Sequence, residues 1–154
     1  MVTLVFSSLD YCNSLLAGAS QGQLRRLQRL QNVAARIVAR PPKMTRIAPI
    51  LQRLHWLPVH HRIAHKILCT VYKCISREAP EYLRDLLEEY RPSLNLRSAT
   101  KGLLTIPKAR LRGYGDRSFS VTGPTLWNRE NETVRKSPSL KIFKRQVKTR
   151  LFRT

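Results

Sequence analysis

Acidic residues are scarce in this 154-residue chain: 9 Asp and Glu stand against 29 Lys and Arg, for a formal net charge of +20. Two-metal nucleases and polymerases need several carboxylates converging on their metals, and the dispersed acids here form no such cluster. There is no Asp-Asp pair anywhere in the chain. Glycine is also sparse, at 6 residues. The run "RGYGDR" (112–117) has two glycines but neither the spacing nor the following helix of a phosphate-cradling loop. No serine sits in a nucleophile elbow. Aromatic residues make up 7% of the chain and are few near its basic groups, with Tyr114 the best candidate to stack on a base, so base-specific readout is not expected. The three cysteines, Cys12, Cys69 and Cys74, cannot all pair, which predicts reduced, buried thiols and an intracellular setting in nucleus or cytoplasm. "MVTLVFSSLDYCNSLLAG" has no basic n-region, and Asp10 breaks its apolar run well short of a membrane span, so no membrane partner is expected.

Apolar residues at helical spacing are plentiful: 42% of the chain is hydrophobic, enough for one globular domain or a fragment of a larger protein. A first helix is predicted from Leu4 to Leu16, closed by Gly18. Residues 21–39 place Leu24, Leu27, Leu30, Ala34, Ile37 and Val38 on one side and Arg25, Arg26, Arg29, Arg36 and Arg40 mainly on the other, with "PPK" ending the helix. A short helix follows from Ile47 to Leu54, leading to Trp56 and Leu57 as a core plug before Pro58. Residues 59–76 form an apolar helix through Ile63, Ile67, Leu68, Val71, Tyr72 and Ile75. Pro80 opens "PEYLRDLLEEY", whose Glu81, Asp85, Glu88 and Glu89 read as a solvated face near arginines. Residues 91–117 are basic and glycine-punctuated, a loop or small hairpin with a β-like run at Leu103–Ile106. Phe119, Leu126 and Trp127 then return as core anchors.

The last segment, "SPSLKIFKRQVKTRLF", contains no acid. Ser137 reads as an N-cap and Pro138 as the first helical residue. Leu140, Phe143, Val147 and Leu151 form one narrow apolar stripe, which suits docking on neighbouring helices. Lys141, Lys144, Arg145, Lys148 and Arg150 cover the other faces. A membrane-surface helix would need a wider apolar face with more aromatics. His61, His65 and Cys69, four residues apart, share one helical face. A zinc site would need further ligands at matching spacing, and none is present, so the face reads as structural and no metal or other cofactor is expected. The predicted fold is mostly α: a compact helical bundle over 1–90, the basic loop or small β-hairpin over 91–117, and a C-terminal helical segment over 118–154 packed with the first.

From "SSLDYCNSLLAG" onward, a long ordered series of segments is familiar: "LQRLQNVAARIV", "ILQRLHWLPVHHRIAHKILCTVYKCI", "APEYLRDLL", "LRSATKGLLTIPKARLRGYGDRSFSVTGPTLWN" and the final "SPSLKIFKRQVKTRLF". Over about residues 5–152 the chain resembles the region downstream of the polymerase core in the reverse transcriptase of non-LTR retrotransposons (LINEs) of the jockey and chicken-repeat groups. The length and order of the series carry the resemblance, rather than any one motif. It implies a parent protein that is an RNA-directed DNA polymerase with an endonuclease. Neither active site is found here, since "LDYC" is not the family's Tyr-x-Asp-Asp-type motif, and no catalytic residue carries over. The chain also departs from the family where "LWNRENETVRKS" replaces the usual Leu-Pro after "LWN", as a decaying copy would. The family pattern therefore does not predict how Trp127 meets the last helix.

The expected function is that of a non-catalytic remnant that holds RNA or DNA through sequence-independent phosphate contacts. The candidate residues are Arg25, Arg26 and Arg29 on the second helix, Lys108, Arg110, Arg112 and Tyr114 in the loop, and Lys144, Arg145 and Lys148 on the last helix. A structural module packing against the reverse transcriptase core, without nucleic acid, is the rival expectation, as is a fragment with no function. Clustering of the basic residues on one folded face would favour binding, and an even spread the module.

Overall fold

The helical spacing becomes a chain of helices in the computed structural model, which describes residues 7, 10–42, 44–92, 101–109 and 115–153. A 3₁₀ turn, Asn13–Leu16, precedes α1 (Gln21–Ala39), α2 (Ile47–Arg53), α3 (Val59–Ile75) and the single turn α4 (Glu81–Arg84). A second 3₁₀ turn, Gly115–Arg117, leads into α5 (Phe119–Asn128), α6 (Glu132–Arg135) and α7 (Leu140–Arg153). Among the described residues the only β-pairing is one antiparallel bridge between Glu89 and Leu104.

α3 is the hub because it buries more side chains than any other described helix: Val59, Ile63, Ile67, Leu68, Cys69, Val71, Tyr72 and Cys74. It packs against the first 3₁₀ turn, α1, α4, α5 and α7. Ile63, Ile67, Leu68, Val71 and Tyr72 enter the main core, joined by Leu57, Leu104, Trp127, Phe143, Val147 and Leu151. Phe143 is fully buried; its ring stacks on Tyr72 at 4.6 Å and lies 5.7 Å from Trp127. Burying one such ring contributes about 1.5–3 kcal/mol. The Tyr72 hydroxyl donates to the Ser137 carbonyl at 2.8 Å, which ties α3 to the entry of α7. A smaller cluster of Ala35, Ile50 and Leu51, with Trp56 against it, pins α2 on α1.

Several expectations are corrected by the packing. The first helix does not run unbroken to Leu16: Cys12 takes a left-handed backbone at φ 51, a 3₁₀ turn follows, and Leu15 is 82% exposed. Cys12 is itself exposed, whereas Cys69 and Cys74 are buried thiols. On α1 the buried face is centred on Gln31, Ala34 and Ala35, while Leu30, Val33 and Ile37 are 59%, 58% and 59% exposed and Val38 is exposed as well. Ile75 likewise ends up exposed at the end of α3. The "PEYLRDLLEEY" helix stops after one turn at Arg84, because residues 88–90 leave it to pair with 103–105: Tyr90 N–H donates to Leu103 O at 3.0 Å and Thr105 N–H to Glu88 O at 2.8 Å. Its acids are exposed, and Glu89 pairs with Arg91 at 3.7 Å. Ser137 does not cap α7. It is buried, donating to Val134 O, and Ser139 caps instead by accepting from Ile142 N–H at 3.4 Å. The predicted loop of 91–117 is described only at its two ends and over 101–109.

After Trp127 the chain is held by contacts to α6, α7 and the 102–104 segment. α6 forms one turn, Val134 is buried, and the buried Glu130 carboxylate pairs with Arg150 on α7. The Trp127 indole N–H donates to Gly102 O at 2.9 Å, and Asn128 both accepts from Leu104 N–H and donates to Leu104 O. These bonds lash the 102–104 segment to α5. No described helix is long and apolar enough to cross a membrane.

Candidate nucleic-acid interface

α1 starts with a reciprocal capping box: Ser20 Oγ accepts from Gln23 N–H, and Gln23 Oε1 accepts from Ser20 N–H. The helix then turns Arg25, Arg26, Arg29, Arg36 and Arg40 to the exterior, all exposed. The reason is on the other side. Gln31 is fully buried and donates to Leu57 O at 2.8 Å, and Gln28 Oε1 accepts from Val59 N–H, the first free amide of α3. Two amides thus orient α1 and leave its arginines outward. Arg36 donates to Thr45 O at 3.0 Å.

On α7 the stripe of Phe143, Val147 and Leu151 is buried and Leu140 is half-buried. That dock leaves Lys144 and Arg145 exposed and Lys148 half-buried, its Nζ 6.0 Å from the Phe152 ring centre. Lys108 is exposed; Arg110, Arg112 and Tyr114 lie outside the described residues. Four ion pairs occur among the described residues, Arg62–Asp10, Arg91–Glu89, Lys136–Glu132 and Arg150–Glu130, and none involves Arg25, Arg26, Arg29, Lys108, Lys144, Arg145 or Lys148.

The α7 lysines come together with cations that the sequence reading passed over. His65 Nε2 lies 3.3 Å from Lys144 O; a carbonyl only accepts, so Nε2 carries the hydrogen and donates. Nδ1 is then the acceptor facing the Cys69 thiol at 3.8 Å. Burial lowers the His65 pKa, and Lys148, Lys144 and Arg62 add to that, so three cations sit within electrostatic reach of one ring. Burial raises the Cys69 thiol pKa. Among the described residues no group of three or more His, Cys, Asp or Glu is placed to hold a metal. Arg62 and Lys66 were legible as one helical face at i, i+4 spacing, but only the docking of α7 brings lysines beside them.

The two basic groups do not merge through α3. His60, Ile63, Ala64 and Ile67 share a cavity with Leu24 of α1, whereas Arg62, His65 and Lys66 share another with Lys148 of α7. At about 100° per residue these sets lie on opposite sides of the helix. The α1 arginines and the α3–α7 cations Arg62, Lys66 and Lys148 are therefore two separate groups rather than one face. No protein family, curated protein or solved structure matches the chain.

Proposed function

We propose that the chain binds RNA or DNA through sequence-independent phosphate contacts and has no catalytic activity of its own. In this reading it is the C-terminal remnant of a LINE-type reverse transcriptase, as its resemblance over about residues 5–152 implies. One observation carries the binding: Arg25, Arg26, Arg29, Lys144 and Arg145 stand exposed with no carboxylate within ion-pair distance among the described residues, in a chain of net charge +20. Uncompensated cations on rigid helices release condensed counterions when they meet phosphates, whatever the base sequence. Log K should fall against log salt with a slope of about −4 to −5 on duplex DNA if roughly five contacts form at once. Replacing Lys144, Arg145 and Lys148 with Glu should weaken all sequences alike and flatten the slope, with helix content by circular dichroism unchanged. A flat salt dependence would overturn the reading.

A second reading has its own observation. The exposed aliphatic row Leu30, Val33 and Ile37 runs along α1 beside the arginines, and phosphates would not cover it. A protein-docking module, without nucleic acid, would use that row. Replacing the three residues with Ser leaves phosphate binding intact under the first reading.

A further inference from the structure

The α3–α7 group surrounds a cavity of about 280 Å³. Arg62 and Lys66 line it from α3, Lys148 from α7, His55 from the turn before α3, and Asp10 from the segment before the first 3₁₀ turn, with the His65 ring as a further wall. His55 holds a left-handed backbone at φ 54, which turns the chain so that its side chain can join this rim. Three formal positive charges face one carboxylate, an excess of two. That carboxylate is committed: Asp10 pairs with the Arg62 guanidinium, with Arg62 Nε donating to Asp10 Oδ1 at 2.9 Å. Lys66 and Lys148 have no carboxylate within ion-pair distance among the described residues. Lys148 is half-buried where it lines the cavity, which limits the freedom of its side chain.

We propose that this cavity binds the terminal phosphomonoester of a nucleic-acid strand, with Lys66 and Lys148 as its direct partners and Arg62 beside them. The proposal rests on the nucleic-acid reading and adds an end preference to it. Charge and shape select the terminal group. An internal phosphodiester carries one negative charge and a sugar on both sides, so it suits an open basic row such as that of α1. A terminal monoester carries about two negative charges at neutral pH and has one substituent, so it can enter a recess and match an excess of two. His65 does not serve as a ligand, because both its ring nitrogens are engaged by Lys144 O and Cys69. It fixes the spacing between α3 and α7 on which the recess depends.

The test uses the full chain and one short oligonucleotide sequence in three forms: 5′-phosphorylated, 3′-phosphorylated and with hydroxyls at both ends. Binding is measured by fluorescence anisotropy at near-physiological salt. A terminal phosphate at either end should tighten binding about tenfold, the effect of one added pair of charge-assisted hydrogen bonds. Lys66→Met should abolish that preference while the hydroxyl-ended strand binds as before. Asp10→Asn should enlarge it, because the carboxylate that occupies the Arg62 fork is gone. Arg26→Glu should weaken all three forms and leave their ratio unchanged. Equal binding of the three forms overturns the cavity assignment and leaves the sequence-independent reading standing. No binding of any form overturns both.

Discussion

His61 shows how much a single buried nitrogen can decide. Its ring is half-buried, and Nδ1 has no hydrogen-bond partner among the described residues. Burial, then the neighbouring His60, then Arg150, push its pKa down to about 4. An unfolded His61 takes up its proton near pH 6.5, but the folded one resists until about 4. The unfolded state therefore binds more protons across that interval. The stability that neutral His61 contributes is whole above about pH 6.5 and is lost as pH falls toward about 4. His60 and His65 shift in the same direction, again through burial first. Glu130 acts in the opposite sense, since burial raises its carboxyl pKa against the pull of Arg150. Urea unfolding followed by Trp fluorescence at pH 7, 5.5 and 4.5 should show falling stability for the wild type. His61→Gln should lose less over the same range, and a parallel loss in both would contradict the assignment.

Among the elements, α1 is where orientation departs from hydrophobic count. Taken alone, its leucines and isoleucines define a stripe through Leu24, Leu27, Leu30 and Ile37. In the fold the helix is rotated so that Gln31 is at the centre and Leu30 and Ile37 are outside. The rotation is worth its loss of apolar burial because two amides answer backbone groups that would otherwise be buried unpaired: Gln31 serves Leu57 O, and Gln28 serves Val59 N–H. Gln28 Nε2 also donates to Gln31 Oε1 at 2.9 Å, so the pair acts as a unit. Gln31→Leu keeps the volume but leaves the Leu57 carbonyl unmet, and should cost about 1–3 kcal/mol of stability. Denaturant midpoints of the variant and of the exposed control Gln21→Leu check this, since only the buried change should shift the curve.

At the scale of the whole molecule, charge sets two responses to salt with opposite signs. The net charge of +20 repels itself in the compact state. Four ion pairs among the described residues offset little of this, because three of them involve a partly or fully exposed carboxylate. Screening should relieve the repulsion, so the melting temperature should rise as sodium chloride goes from about 10 mM to about 300 mM. Nucleic-acid affinity should fall over the same range. Circular dichroism melts and anisotropy titrations on one preparation check both, and a melting temperature that falls with salt would show that favourable ion pairs outweigh the repulsion.

The helical class, the placement of α1, α2, α3 and α7 to within a residue or two, and the docking stripe of Phe143, Val147 and Leu151 were all determined by the sequence itself. Each follows from local spacing: apolar residues recurring near 3.6, with Ser, Pro and Gly at the boundaries. The outward turn of the α1 arginines was legible for the same reason, since charge goes to water whichever neighbour is chosen. Only the tertiary structure decided which side of α1 is buried, because Gln28 and Gln31 find their partners 31 and 26 residues away. It also ended α4 after one turn, since the pairing of Glu89 with Leu104 competes with the helix; the β-like run at Leu103–Ile106 was legible, but its partner at residues 88–90 was not. The grouping of Lys148 with Arg62 and Lys66 belongs to the same class. Charges attract or repel through space, and their neighbours in space are settled by how α7 docks on α3, with the buried Phe143 ring against Tyr72 fixing the contact.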